Sequence, residues 1–195
     1  LAAIPQVWKG GLGIWGGVIG GTLGALILLK KEGEDIPGMF HATAAAIPVG
    51  QAIGRLGNWF NQELFGRPSE LPWALEIEAS YRPDRYINFA TFHPTFLYEA
   101  VWNLCLAVFI AFIAPKIFTT LRTGYMWAVY VFGYTLGRLW IELLRSDDAT
   151  EIFGVRINVW TSLIVISISC VTIIYQVRKD PKGHRNSSDV VPHLD

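Results

Sequence analysis

The sequence predicts an all-α polytopic membrane protein with five transmembrane helices and a small extracytoplasmic cap. Three observations carry this prediction. The chain of 195 residues is 52% hydrophobic and only 16% charged, whereas a soluble domain holds about a quarter charged residues. Its mean hydropathy is positive, +0.35. Five apolar stretches also approach the roughly 20 residues that a helix needs to cross about 30 Å of hydrocarbon.

The stretches follow in order. Residues 11–29 carry no charge; within them Gly16, Gly20 and Gly24, and also Gly17 and Gly21, recur at four-residue spacing. That spacing predicts a face for close helix packing, with Trp15 as an anchor. Residues 39–57 hold one interior histidine, His41, expected to pack against a neighbour, and end in Arg55. Residues 95–114 carry only Glu99, near their start. Residues 124–144 carry Arg138 and Glu142 in their second half, and residues 157–177 carry no charge. Between the second and third stretches lies the loop 58–94, with Pro68, Pro72, Pro83 and Pro94 and a β-like run, WALEI, at 73–77. It is the one sizeable piece outside the membrane and is expected to form the cap. Residues 1–179 thus form a transmembrane domain containing this loop, and residues 180–195 form a polar tail expected to be disordered.

Orientation follows from the basic residues. Lys30 and Lys31 follow the first stretch, Lys116 and Arg122 lie between the third and fourth, and Arg178, Lys179, Lys182 and Arg185 follow the last. With alternating spans these fall on one side, the cytoplasm, which takes the C-terminus; Lys9 alone among the lysines falls opposite. The ends carrying Arg55, Glu99, Arg138 and Glu142 then converge at one depth beneath the outer face. Trp59, Trp73, Trp140 and Trp160 flank the same boundary, as interfacial aromatics do. The first residue is Leu1, with no charged segment and cleavage site before it, so further upstream segments are expected.

Composition also excludes. A net charge of zero gives no electrostatic case for nucleic acid. Cys105 and Cys170 sit inside apolar runs, remote from any CxxC or Cys/His spacing. They predict neither a zinc site nor a disulfide framework and are expected to be small packed hydrophobes. Asp147 and Asp148 have no metal-ligand pattern around them and read as a solvated loop.

The charges inside apolar sequence are the place to look for function, because a charged side chain at mid-membrane costs roughly 2.5–3.5 kcal/mol on insertion scales. Tyr134, Arg138 and Glu142 are spaced i, i+4, i+8 and so share one stripe of a helix. Either the Arg–Glu pair pins this helix to a neighbour, or Arg138 holds an anion and Glu142 holds Arg138. A guanidinium suits phosphate because its fork donates two parallel hydrogen bonds. Arg55, Asn58 and Asn61 recur every third residue and are followed by Glu63 and Gly66. Asparagine supplies both donor and acceptor for an ester or phosphate oxygen, and capping of the helix end is the structural alternative. In HPTFLYE, residues 93–99, Pro94 fits the first turn of a helix. His93 therefore lies near a helix N-terminus, where anions are favoured, with Tyr98 and Glu99 just beneath the surface; a lone histidine there also has a structural reading.

Together these stretches resemble a known family. GRLGNWFNQELFGR is similar to the Gly-Arg-x-x-Asn-x-x-Asn-x-Glu-x-x-Gly signature of bacterial prolipoprotein diacylglyceryl transferases. HPTFLYE resembles that family's His-Pro-x-x-Leu-Tyr-Glu stretch, GYTLGRLWIELLR its Tyr-x-x-x-Arg-x-x-x-Glu helix, and GGLGIWGGVIGG its glycine-rich helix. The four motifs occur in the family's order and cover most of the chain.

The resemblance implies a multi-pass enzyme of the bacterial inner membrane with about seven helices, so that about two spans lie upstream. It implies transfer of a diacylglyceryl group from phosphatidylglycerol to the thiol of a lipobox cysteine in a prolipoprotein signal peptide. A thioether forms, glycerol phosphate leaves, and no metal or organic cofactor takes part. It assigns Arg55, Arg138, Glu142, Tyr134 and His93 to catalysis, and Arg55, Asn58, Asn61, Glu63, Gly66, Tyr98, Glu99 and Arg138 to lipid binding. One departure stands out: where many members carry a histidine considered as a base, this chain has Trp15. His93 and Glu142 are then the candidate bases.

The residues by themselves leave two other classes open. Intramembrane Arg–Glu pairs also line transport paths, but a transporter favours an inverted repeat and midplane broken helices, and no such repeat is visible. A different phospholipid-using transferase shares the need for anion-binding arginines.

Overall fold

Five long helices and a small lobe make up the computed structural model, which describes residues 14–118, 125–146 and 150–179, with side chains from Gly20 onward. The helices are α1 (Ile14–Glu32), α2 (Ile36–Asn61), α3 (Thr95–Val108), α5 (Met126–Leu144) and α6 (Ile157–Lys179), and a short α4 (Ala114–Ile117) continues α3. Each predicted stretch is a helix, with ends shifted by a few residues. Lys30 and Lys31 fall within the last turn of α1. Helix α2 runs past its charged end to Asn61, so the loop starts later than the change in polarity suggests. Between α3 and α4 the winding slackens into a π turn, Phe109–Ile113. Pro115 has no N–H to offer the turn before it, which is a sufficient cause.

Among the described residues, two helical segments are long and apolar enough to cross a membrane by length and composition, Thr95–Ile117 and Ile157–Lys179. Only 11% of the apolar window of α6 is buried. Ile164, Ile168, Val171 and Ile174 lie exposed along it, a surface that water would penalise and hydrocarbon would accept. The bundle core forms where α2, α3 and α5 meet, around Ala44, Leu106, Ile110, Met126, Val129 and Tyr130.

The loop after α2 folds into a lobe at the end of the bundle where α2 finishes and α3 begins. Its strands β1 (Leu75–Glu76) and β2 (Thr91–Phe92) pair antiparallel. The 73–77 run therefore does supply a strand. Phe65, Ile77 and Phe92 form the lobe's own core, with Leu75 and Tyr86 against it. A second hairpin, β3 (Glu151–Ile152) with β4 (Val155–Arg156), stands directly before α6. Phe153 and Gly154 make its tight turn with φ of 54° and 73°, the left-handed pair that a type I′ hairpin turn requires.

Several sequence expectations need correction. Gly20, Gly21 and Gly24 are exposed, and a Cβ at any of them would meet nothing within 4 Å. Among the described residues no helix lies against that stripe to use its small side chains. His41 is exposed rather than packed. Cys105 is exposed and Cys170 half-buried; both border an apolar groove of about 470 Å³ between α3, α5 and α6, so neither is sealed in a core. The side chain of Trp15, together with Lys9, Arg122, Asp147, Asp148 and the tail beyond Lys179, lies outside the described residues.

Candidate functional site

The bundle end that carries the cap gathers the ends of four helices. Arg55 sits near the C-terminus of α2, Glu99 in the opening turns of α3, Arg138 and Glu142 in the closing turns of α5, and Arg156 at the last position before α6. Their side chains join into one chain of alternating charge. Arg55 Nη2 donates to Glu99 Oε1 at 2.5 Å. Arg138 Nη1 lies 3.8 Å from Glu99 Oε2, and its Nη2 lies 2.8 Å from Glu142 Oε2. Arg156 Nε donates to Glu142 Oε1 at 2.7 Å, and Asn158 Nδ2 donates to the same oxygen at 3.0 Å. Tyr134, one turn before Arg138, lies within electrostatic reach of Arg55, Glu99 and Arg138.

Burial within this chain is uneven in a telling way. The carboxylate side chains are sealed, at 5% exposure for Glu99 and 0% for Glu142, while those of Arg55 and Arg138 stay 24% and 21% exposed. Buried ion pairs rarely add net stability, because desolvation cancels the attraction. An arrangement with buried anions and accessible guanidiniums instead suits holding two cationic forks toward an incoming anion. The accessible edges of Arg55 and Arg138 suit the charge and shape of a phosphodiester.

The remaining sequence candidates fall into separate groups. Asn58 and Asn61 donate from Nδ2 to Glu63 Oε1 at 2.9 and 3.0 Å. These three thus form a local cluster around the left-handed C-cap at Gln62 (φ 48°); Asn58 is nearly buried, on the same face as Arg55. His93 Nδ1 is 3.2 Å from the Tyr98 hydroxyl, which also accepts from Trp73 Nε1 at 2.9 Å. Tyr98 stacks on Trp140 with centroids 6.3 Å apart, and Trp140 meets Trp102 edge-on. This aromatic column leads from the cap toward the apolar groove, which Trp102 also lines.

Gly66 lies where the cap meets the bundle. It bridges to Arg145, and its N–H donates to His93 O at 2.8 Å while Arg67 N–H donates to Leu144 O at 2.9 Å. A Cβ here would lie 2.7 Å from Leu144 O and from Thr95 Cγ2, and 2.9 Å from His93 Cβ. The glycine lets the cap press against the end of α5 and the start of α3, whose charged residues form the ion-pair chain. Gly66→Ala is expected to cost about 1–3 kcal/mol by overpacking, read as a lower thermal midpoint in detergent. An unchanged midpoint would show that the cap yields without strain.

Arg156 and Asn158 escaped the sequence reading. Their positional signal is the one shared by Arg55 and Glu99: polar groups at the end of a long apolar stretch. No local motif marks VRIN, and the contact with Glu142 closes across a turn 14 residues back.

A family model described as "Prolipoprotein diacylglyceryl transferase" matches residues 1–175. Curated proteins are similar along most of the chain. One from Cutibacterium acnes is 46% identical over 182 residues, covering 93% of this chain and 61% of that protein. One from Frankia alni is 46% identical over 179 residues, covering 92% of this chain and 46% of that protein. One from Streptomyces coelicolor is 46% identical over 169 residues, covering 86% of this chain and 53% of that protein. The first two are named phosphatidylglycerol–prolipoprotein diacylglyceryl transferase, and the third bears the same name with the number 2. The chain spans about half to three fifths of the length of these relatives.

Proposed function

The chain belongs to the prolipoprotein diacylglyceryl transferase family, and from that premise we propose that it carries the lipid-phosphate site of such an enzyme. The reaction moves a diacylglyceryl group from phosphatidylglycerol to the thiol of a lipobox cysteine in a prolipoprotein signal peptide. The observation that carries the reading is that Arg55 and Arg138, from different helices, flank opposite oxygens of one buried carboxylate, Glu99. Both forks are thereby fixed around one small volume beside the cap.

In this reading the cysteine sulfur attacks the terminal glyceryl carbon of the diacylglyceryl group. The bond from that carbon to the phosphate oxygen breaks, and glycerol phosphate leaves. The developing phosphate dianion is what Arg55 and Arg138 stabilise, in a water-poor site where preorganised donors count most. The same positive charge favours the thiolate, the nucleophilic form of a group whose free pKa is near 8.5. Glu142 holds Arg138, and its oxygens already face Arg138, Arg156 and Asn158, which suits an anchor better than a base. His93, half-buried beside Tyr98, is then the residue to accept the thiol proton. Asn58, Asn61 and Glu63 border the headgroup from the end of α2, and the apolar groove beside Trp102 offers room for an acyl chain.

All five helices cross the bacterial inner membrane in this reading. The cap and both hairpins lie on the outer face, and the C-terminus is cytoplasmic. The lipid enters sideways from the outer leaflet, and the exported peptide enters from outside. The full-length protein in phosphatidylglycerol vesicles is expected to add a diacylglyceryl mass to a lipobox peptide and to release glycerol phosphate. A peptide that gains no mass, while a known transferase modifies it in parallel, would refute the reading. Disappearance of a different phospholipid would point to another lipid-using transferase.

A further inference from the structure

We infer that Arg156 is a positioning residue which sets the geometry of Arg138 through Glu142; the inference rests on the phosphate-gripping role proposed above. Glu142 is fully buried and four residues beyond Arg138 on the same helix. A carboxylate at that point has rotational freedom that α5 alone does not remove. The hairpin–α6 junction removes it. Arg156 Nε and Asn158 Nδ2 both donate to Oε1, at 2.7 and 3.0 Å, leaving Oε2 turned to Arg138 Nη2 at 2.8 Å. Oε2 makes no aligned hydrogen bond of its own, so it holds the Arg138 guanidinium by charge at close range, from a carboxylate seated from the α6 side although Arg138 itself sits on α5. On its other edge, Nη1 stands 3.8 Å from Glu99, beyond hydrogen-bond length, so the Glu142 contact is the tighter of the two.

The β3–β4 hairpin explains why this arginine is held rather than loose. Its pairing places Arg156 opposite Glu151. Trp160 Nε1 donates to Ile152 O at 3.1 Å, tying the hairpin back onto the first turn of α6. Arg156 Nη1 also approaches the carbonyl of Arg145 at 3.5 Å, at the end of α5. The residue thus bridges α5 and α6 at the level of the site. Its bond to Glu142 uses a single N–H, a task an ammonium can share, whereas gripping phosphate and carboxylate together demands a fork.

That difference supplies the test. Lipidation of a lipobox peptide by the full-length protein in phosphatidylglycerol vesicles is compared for wild type, Arg156→Lys, Arg156→Gln, Glu142→Gln and the Arg156→Gln/Glu142→Gln pair. Affinity for short-chain phosphatidylglycerol is measured by calorimetry on the same set. Arg156→Gln is expected to lower turnover about tenfold and to weaken lipid affinity several-fold. In the Glu142→Gln background it should add nothing, because its effect passes through that carboxylate. Arg156→Lys should recover most of the loss, unlike lysine at position 138. Additive losses in the double variant, or wild-type turnover and affinity in Arg156→Gln, would overturn the inference. Should Arg156→Gln fail to fold, Arg156→Lys decides: a loss as deep as that of Arg138→Lys overturns the positioning role, and near-normal turnover supports it. A wild type that lipidates nothing removes the transferase reading alone. The calorimetric cycle then judges Arg156 by the same additivity.

Discussion

Arg138→Lys is expected to lower turnover roughly 100- to 1000-fold, the loss that follows removal of one preorganised oxyanion donor, while the protein stays folded. Lysine keeps the positive charge, so the fully buried Glu142 is not left without a counterion. What disappears is the planar fork. Arg138 now presents one nitrogen to Glu142 Oε2 at 2.8 Å and another toward Glu99 Oε2 at 3.8 Å, which confines the guanidinium between two carboxylates. An ammonium at that position can sit against one carboxylate, but it cannot also hold two oxygens of a phosphate in a defined plane. The developing dianion in the transition state feels this more than the lipid's ground-state monoanion does, so the loss should fall mainly on kcat. Single-turnover lipidation in phosphatidylglycerol vesicles measures it, with a thermal melt to confirm folding. Turnover equal to wild type would remove Arg138 from the chemistry and leave it as a helix pin.

The contrast between positions 138 and 156 also shows what the sequence could reveal. The stripe Tyr134, Arg138, Glu142 is local, set by helical periodicity alone, and the structure forms its Arg–Glu pair. The convergence of Arg55 and Glu99 on that stripe needed only alternating helix directions, which the spacing of apolar runs supplies; their ion pair follows. Arg156 was not legible in the same way. Its strand is two residues long, too short for any alternation to show, and its partner lies on another element. Gly66 was recognisable as part of a motif, but the motif does not say that the glycine is there for a carbonyl 2.7 Å from where a Cβ would stand. The glycine stripe of α1 carries its meaning outside its own helix. Four-residue spacing states what a helix could pack against, and nothing packs on Gly20, Gly21 or Gly24 among the described residues.

Glu99→Gln is expected to produce the largest combined loss, because this carboxylate is the shared counterion of two helices. Arg55 from α2 and Arg138 from α5 both face it, and its side chain is 5% exposed. Glutamine preserves the shape and one acceptor but removes the charge, leaving two guanidiniums to repel each other across a small volume. Removing one partner of a buried ion pair typically costs about 3–5 kcal/mol. The lower end applies here, because both arginines keep some contact with solvent. Turnover should fall about 10- to 100-fold as the forks splay, since misplaced groups lose the benefit of orientation. The stability loss carries a more specific signature. If the forks bind a lipid phosphate, that phosphate replaces the missing negative charge, so ligand binding stabilises the variant beyond its effect on wild type. Thermal midpoints measured in neutral detergent with and without short-chain phosphatidylglycerol should therefore rise more for Glu99→Gln than for wild type, whereas a zwitterionic short-chain lipid, whose ammonium offsets the phosphate, should narrow the gap far less. Equal rises with the anionic lipid would mean that the two arginines answer only to Glu99 and that phosphate is held elsewhere.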